Sequence, residues 1–340
     1  MLLLLLACQR PPSPDDSTAA VDDSVVVDDT SAEEVPLGMF PGRYLMTFFS
    51  CDRDICMDPS AFNHEVWVLW SDDGVSWQVP TGDFEPWTGS VPDMTRRGDT
   101  LYVYAGPGEV RRYRFESDTW EDPVPFTNDV QARWRDPAPL VGDDGLIHMF
   151  YLDSAVEDGD PADCTADRAP CTQRFGSAVE VEGSDGVDFV IQEGSRFELT
   201  LQAGDRASDP AVFATPFGYV MYILLNEATL ALVSDTLHGR YTPVAALPEG
   251  MLTEPYYGLM VGQWDHERQL IRSYASVPLP RGQGQQPDIV IQLAEHADLD
   301  APLTAWQTVV EGGDPPELPE GYWAASPGLA ENVRFPEPFQ

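Results

Sequence analysis

From residue 37 onward, short apolar runs alternate with turns, and this spacing indicates strands rather than helices. Runs rich in Val, Tyr, Phe and Trp are separated by Gly, Asp, Asn and Pro, a pattern typical of β structure. Five such runs share one character, at 42–50, 99–106, 145–154, 218–226 and 268–276. A second run follows each, at 65–77, 109–120, 177–189, 228–241 and 287–302. Ser/Asp turns in these second runs suit tight hairpins, and we assign them a structural role.

An acidic residue next to proline precedes four of the five repeats. The segments are VPDM at 91–94, RDPA at 135–138, SDPA at 208–211 and TEPY at 253–256. Each unit then contains four strands, and a repeat of roughly 40–50 residues with four strands is typical of a β-propeller. The sequence therefore predicts an all-β fold, a five-bladed β-propeller of four-stranded antiparallel blades over 37–340. The alternative, a large β-sandwich, does not account for a motif that recurs at blade spacing.

The predicted blades place candidate catalytic residues. First strands of a propeller begin near the axis on one face, so Asp93, Asp136, Asp209 and Glu254 should lie around the axis there. The loops 51–63 and 153–175 should rise over the same face as a binding rim. The other interpretation is that these acids cap strands or hold Ca²⁺ on the axis through their oxygens. We expect the last thirty residues to close the ring beside the first blade.

One segment resembles a known group of enzymes. WRDPAPLVGDDGLIHMFY, at 134–151, is similar to the Arg-Asp-Pro or Asp-Pro segment of the five-bladed propeller glycosidases of glycoside hydrolase families 43, 32 and 68. The resemblance implies that Asp136 orients substrate hydroxyls or tunes the pKa of the catalytic acid. The chain departs from the family pattern elsewhere. The first blade lacks an Asp base, for which Asp58 is a substitute, and Asp209 stands where those families have Glu, with Glu254 one blade later.

The residue types allow two functions of different classes. Hydrolysis of a glycan needs one protonated and one ionised carboxyl group beside the glycosidic bond, which clustered acids can supply. Trp134, Arg135, Asp58 and His64 are candidate substrate-binding residues, although each also has a structural interpretation as a core, paired or strand-start residue. The leading hypothesis is a glycosidase. The alternative is a non-catalytic propeller that binds a glycan or a protein, and a sialidase, which needs three Arg and normally six blades, is a third interpretation.

The charge excludes several partners. The chain carries 57 Asp and Glu against 19 cationic residues, all of them Arg, with a net charge of -38. Nucleic acid binding needs a basic surface, and so does electrostatic binding to anionic lipid, so we expect neither. We expect a monomer with no required cofactor. Its ligand would be a glycan or another extracellular molecule.

The first residues predict export. MLLLLLAC, at 1–8, resembles a bacterial lipoprotein signal that would be cleaved before a lipidated Cys8, anchoring the protein at the cell envelope. Residues 9–36 contain eight acids and are rich in Pro and Ser, which predicts a disordered tether.

The four remaining cysteines form two close pairs in the sequence. The oxidising environment of an exported protein favours disulfides over a zinc site, which would be expected to include neighbouring His. Three pairings are possible, and the spacing favours the local one, Cys51–Cys56 and Cys164–Cys171.

Overall fold

The computed structural model describes residues 38–56, 63–82, 84–128, 134–153 and 162–332. The expected signal segment with Cys8, the tether 9–36 and the candidate Asp58 lie outside these residues. Within them, no helix is long and apolar enough to cross a membrane. The helical structure described is a single 3₁₀ turn, Pro248–Gly250.

Five β-sheets form the five blades that the repeat predicted. Blade 1 contains β1 (Tyr44–Asp52), β2 (Glu65–Ser71) and β3 (Trp87–Thr88). Blade 2 contains β4 (Ser90–Arg97), β5 (Thr100–Gly106), β6 (Glu109–Arg114) and β7 (Thr119–Trp120), with β8 (Val124–Pro125) also paired to β6. Blade 3 starts with β9 (Thr127–Asn128), which joins the sheet at its outer edge, and β10 (Trp134–Val141). Its other strands are β11 (Ile147–Asp153), β12 (Cys171–Glu180), β13 (Asp188–Ile191) and β14 (Phe197–Leu201).

The last two blades have four strands each. Blade 4 contains β15 (Ala207–Thr215), β16 (Gly218–Leu225), β17 (Ala228–Ser234) and β18 (Thr242–Pro243). Blade 5 contains β19 (Gly258–Asp265), β20 (Leu270–Leu279), β21 (Asp288–His296) and β22 (Gln307–Val310). The ten runs singled out in the sequence overlap the second and third strands of all five blades, which confirms the repeat.

The C-terminal strand closes the ring. β23 (Tyr322–Glu331) pairs antiparallel with β1, so it is the innermost strand of blade 1. The innermost strands β4, β10, β15, β19 and β23 contact one another in a closed circle. The expected closure by the last thirty residues is therefore confirmed for the described part of that segment. We call the face where these five strands begin the top face.

Side chains of β1 show how the blades pack. Met46 and Phe48 join a buried cluster with residues of blade 5, whereas Leu45 packs into a cluster with Met94 of blade 2. Alternate residues of one strand thus reach opposite neighbours, as the period of two in a strand requires. Each blade is buried on both faces, which explains the long uninterrupted apolar runs in the second strands.

The Ser/Asp turns lie on the bottom face and connect neighbouring blades. The Tyr274 hydroxyl donates to the Gly74 carbonyl at 2.8 Å, and the Tyr104 hydroxyl donates to the Gly186 carbonyl at 2.9 Å. A Cβ on Gly186 would lie 2.8 Å from the Tyr104 hydroxyl oxygen, so glycine allows this close approach. These contacts support the structural role assigned to the turns.

Candidate functional site

A ring of β-bulges surrounds the axis near the top face. Each innermost strand has a register shift against its neighbour, and one residue at the shift has a positive φ. We call these five residues the bulge ring: Val91, Asp136, Asp209, Leu259 and Ser326, with φ of 46, 53, 51, 46 and 53°. Proline follows four of them in the sequence. The acidic-proline segments of the sequence therefore mark a backbone feature as well as candidate chemistry.

The space inside the bulge ring is small. Its residues, together with Asp93 and neighbouring apolar side chains, enclose about 30 Å³. That volume holds a water molecule or an ion but not a sugar ring. A glycan at this end of the axis would have to lie above the bulge ring, on the top face.

Asp136 and Asp209 occupy equivalent positions in neighbouring blades. The backbone N–H of Asp209 donates to Asp136 Oδ2 at 3.3 Å. The buried Ser208 hydroxyl donates to Asp209 Oδ2. Both aspartates are half-buried and line the axial cavity. These are the two candidate catalytic carboxylates that share a structural position.

Asp93 lines the same cavity from a different position. It lies two residues after Val91, on the lower side of the bulge, and its Oδ1 accepts the Met94 N–H at 2.8 Å. Burial inside the channel raises the pKa of Asp93 well above its ordinary value, against the lowering effect of the Met94 and Leu329 N–H groups. A Cβ on Gly328 would lie 2.4 Å from Asp93 Oδ1, so glycine allows the carboxylate to lie against β23.

Glu254 is not brought to the axis. It is exposed in the segment that leads into β19, and the bulge-ring residue of blade 5 is Leu259. The structure therefore groups three of the four candidate catalytic acids around one cavity and leaves the fourth outside it. In the same way, the ring position of blade 1 belongs to Ser326, because the C-terminal strand supplies the innermost strand of that blade.

Three of the four candidate substrate-binding residues lie in the described part of the chain, and they are spread over the top face. Trp134 begins β10, and Arg135 is exposed next to it. His64 stacks on Phe49 with ring centroids 4.4 Å apart, and its Nδ1 lies 2.7 Å from the Ser90 hydroxyl of blade 2. Burial lowers the pKa of His64. This half-buried imidazole bridges two blades, which is the structural role that the sequence left open as an alternative.

Both predicted disulfides are present. Cys51 is bonded to Cys56 and Cys164 to Cys171. Both bonds lie at the top face, where β1 ends and β12 begins. Cys51, Cys56 and His64 are also the only three possible metal ligands within 4.8 Å of one another in the described part of the chain. With both sulfurs in a disulfide, this cluster has no thiolate to offer a metal.

Below the bulge ring the axial channel widens to about 830 Å³ and reaches the turns of the bottom face. Apolar residues such as Leu140 and Phe213 line it together with the polar Gln263 and Glu331. Burial raises the pKa of Glu331 to about 7, since the lowering effect of Arg43 is smaller and Asp265 and Glu267 raise it further. Sequence reasoning missed Glu331 because its place on the axis depends on closure by β23.

No family model and no curated protein matches this chain. Solved structures with a similar fold include the GH43_1 enzyme from Xanthomonas citri complexed with xylotriose, at 16% identity and a TM-score of 0.47. That match covers 78% of this chain and 92% of the other. The endo-1,4-beta-xylanase from Bacteroides thetaiotaomicron has 12% identity and a TM-score of 0.44, covering 72% of this chain and 86% of the other.

A protein of unknown function from Dyadobacter fermentans is similar to the same degree. It has 12% identity and a TM-score of 0.47, and 80% of each chain is covered. At these identities the likeness concerns the fold alone. The five sheets and their closed ring of innermost strands confirm the predicted propeller fold, and the roles of individual residues remain predictions.

Proposed function

We propose that this protein hydrolyses a glycan on its top face, with Asp136 and Asp209 as the reacting carboxylates. The observation that carries the proposal is their placement in the bulge ring. They occupy equivalent positions of neighbouring blades at the top end of the axis, and the Asp209 N–H donates to Asp136 Oδ2 at 3.3 Å. Asp93 and Glu254 have no part in the proposed reaction, because one lies below the bulge ring and the other outside it.

Hydrolysis needs one of the two carboxyl groups ionised and the other protonated. Asp136 accepts the Asp209 N–H and Asp209 accepts the Ser208 hydroxyl, and hydrogen bonds of this kind favour the ionised form of each. Repulsion between neighbouring carboxylates opposes ionisation of both and favours one proton on the pair. The protonated member of the pair is the acid that protonates the leaving oxygen, and the ionised member is the base. The bond broken is the glycosidic C–O bond, and water supplies the hydroxyl group of one product and the proton of the other.

A second function, binding without hydrolysis, is favoured by a separate observation. Three bulge-ring positions, Val91, Leu259 and Ser326, carry no carboxylate. A binding propeller needs no third acid, whereas the glycosidase pattern to which the sequence is similar includes a Glu. The ligand would again lie on the top face, because the cavity of about 30 Å³ excludes a sugar ring.

Anchoring and metal binding extend the proposal. We infer attachment to the cell envelope through a lipid on Cys8, with residues 9–36 as the tether and a monomeric propeller exposed to extracellular glycans.

Ca²⁺ on the axis would use carboxylate oxygens. Asp93, Asp136 and Asp209 do not form a cluster within 4.8 Å in the described part of the chain, so such an ion would also need backbone or water oxygens.

The test is a hydrolysis screen with substitutions that leave the backbone undisturbed. Asp136→Asn and Asp209→Asn remove the charge, and Asn tolerates the positive φ of both positions. The matched control is Asp143→Asn, an exposed aspartate on the bottom face. Sugar release from a panel of uncharged polysaccharides should fall at least about 100-fold in both ring variants and stay unchanged in the control.

Two outcomes would contradict hydrolysis. Release that survives in both ring variants would exclude these carboxylates as reacting groups. No release from any substrate, together with saturable glycan binding that Asp136→Asn weakens, would assign the protein to the binding function instead. Thermal unfolding of each variant separates these results from loss of the fold.

A further inference from the structure

The top face is uneven because its loops differ in length. The described end of the connection from β11 to β12 covers residues 162–170, and the connection from β20 to β21 covers 280–287. In blade 4 the same connection is only Asn226–Glu227. This short turn leaves a cleft of about 1320 Å³ over blade 4. Its lining includes Thr165 and Cys164 from the disulfide loop on one side, and Thr253 and Pro255 from the segment before β19 on the other.

An exposed aromatic residue stands beside this cleft. Tyr256 follows Pro255 and is 59% exposed, more than the other large apolar or aromatic residues found exposed in the described part of the chain. Its φ of 82° is unfavourable for a residue with a side chain. The Tyr256 N–H donates at 2.7 Å to the carbonyl of Glu227, which lines the cleft. The backbone thus holds a flat aromatic ring out of the core, next to the cleft.

The charges of the cleft limit its ligand. Four acids line it, namely Asp163, Asp205, Glu227 and Glu249. Arg206 is the cation among its lining residues and lies 3.8 Å from Asp163. Such a cleft repels anionic groups, so uronic acids, sulfated sugars and phosphates do not suit it. Carboxylate oxygens instead accept hydrogen bonds from neutral hydroxyl groups.

The amide in the floor of the cleft is held in place. The Asn226 side chain donates to Asp205 Oδ1 at 3.3 Å, and its Oδ1 accepts the Arg206 N–H at 2.9 Å. Asp205 and Arg206 lie directly before β15, the strand that carries Asp209. The cleft therefore belongs to the same blade as one proposed reacting group.

We propose that this cleft binds further sugar units of an uncharged, chain-like glycan, with the Tyr256 ring stacked on the apolar face of one sugar. The proposal rests on the proposed function, since it names the substrate class of the same face. Apolar C–H groups on one side of a sugar ring suit an aromatic surface, and the hydroxyl groups around its edge suit the carboxylates and amide. A longer chain should bind more tightly because it reaches from the bulge ring into the cleft.

The experiment measures affinity as a function of chain length. Calorimetric titration would use xylan-, arabinan-, glucan- and galactan-derived oligosaccharides of two to six sugars, with hexagalacturonate as the anionic counterpart. We expect at least one neutral series to bind more tightly with each added sugar, and hexagalacturonate not to bind. Tyr256→Ala should weaken hexasaccharide binding about five- to tenfold and disaccharide binding less than about twofold.

Two variants serve as controls. Phe217→Ala removes another exposed aromatic, 48% exposed on the bottom face, and should leave every affinity unchanged. Tyr256→Phe keeps the flat ring and should retain the affinity for the hexasaccharide. Thermal unfolding should be unchanged in both Tyr256 variants, since this ring is exposed. Phe217→Ala should lower the melting temperature only by the loss of its contact with the Trp264 ring, 6.0 Å away between centroids.

The outcomes separate this proposal from the catalytic one. Binding that depends on Tyr256 without any sugar release would support the cleft and contradict hydrolysis. Sugar release with affinities that Tyr256→Ala leaves unchanged would support hydrolysis and overturn the cleft. Tighter binding of hexagalacturonate, or no binding of any neutral series, would overturn it as well.

Discussion

The ion pair between Arg272 and Asp265 lies in the interface of blades 5 and 1, and its removal measures how strongly this interface holds the ring closed. The two side chains are 1% and 0% exposed, with Arg272 Nε 3.2 Å from Asp265 Oδ2. The guanidinium also lies 4.5 Å from the ring centroid of Tyr44, whose hydroxyl donates to Asp265 at 2.8 Å. Arg272→Met keeps most of the side-chain volume and removes the charge, leaving Asp265 buried without this partner.

Loss of one partner of a buried ion pair costs about 3–5 kcal/mol of the free energy of unfolding. Asp265 keeps two backbone N–H donors at 3.0 Å, from Glu267 and Arg268, so we expect the lower end, about 3 kcal/mol. For a domain of this size the melting temperature should then fall by roughly 5 °C. The control is Arg174→Met, because Arg174 and its partner Glu198 are 49% and 41% exposed. An exposed pair of this kind contributes at most about 1 kcal/mol.

Urea denaturation of the purified protein at neutral pH provides the measurement. Burial raises the pKa of Asp265, but the Arg268 N–H, the Tyr44 hydroxyl and Arg272 together lower it below its ordinary value. Its stabilising contribution is therefore present above about pH 4 and is lost as the pH falls below its folded-state pKa. The difference in the free energy of unfolding between wild type and Arg272→Met should therefore become smaller at acidic pH. Equal losses for Arg272→Met and Arg174→Met, or a difference that does not depend on pH, would refute this account of the interface.

Three further perturbations follow from the structure. Because the pKa of Glu331 is raised to about 7, the free energy of unfolding should fall by about 1–3 kcal/mol as the pH rises from 4.5 to 7. The urea midpoint of Glu331→Gln should lack this pH dependence, and an equal dependence in the variant would contradict the assignment. Val91→Asn should raise the melting temperature, since it relieves about 1 kcal/mol of strain from a β-branched residue at a φ of 46°; a lower melting temperature would contradict this. Replacing Cys164 and Cys171 together by Ser should cost about 2 kcal/mol by urea denaturation, because the disulfide closes a short loop; an unchanged midpoint would exclude that contribution.

The strands predicted from the sequence follow from local chemistry. β-Branched and aromatic residues with Asp turns specify a hairpin within a few residues, so the second and third strands lie where the runs predicted them. The equivalent positions of the innermost strands were predicted less well. Aligning the acidic residues of the repeats makes Asp93 equivalent to Asp136. In the structure the equivalent of Asp136 is Val91, and in both blades a proline follows this bulge-ring residue. The sequence did carry a signal for this difference, because Pro precedes Asp in VPDM but follows Asp in RDPA.

Other positions had no local signal. Leu259 is followed by Met260, not proline, so nothing in the sequence marks the bulge of blade 5, and the nearby Glu254 was taken in its place. Ser326 and Glu331 reach the axis only because β23 pairs with β1, nearly 300 residues away in the chain. Contacts at that separation depend on the closed ring, which a local pattern does not encode. The cleft beside Tyr256 likewise arises from differences in loop length between blades.

The bulge ring also bears on why aspartate occupies two of its positions. Asp tolerates a positive φ better than most residues, so Asp136 and Asp209 have a conformational advantage there. Val91 and Leu259 adopt the same conformation without that advantage, which shows that the fold imposes the bulge regardless of the side chain. Backbone preference alone therefore does not require two acids in neighbouring blades, where their charges repel each other. Asparagine separates the two explanations, because it satisfies the backbone and removes the charge. Asn variants that keep their stability and lose function would show that the carboxylates serve chemistry rather than the bulge.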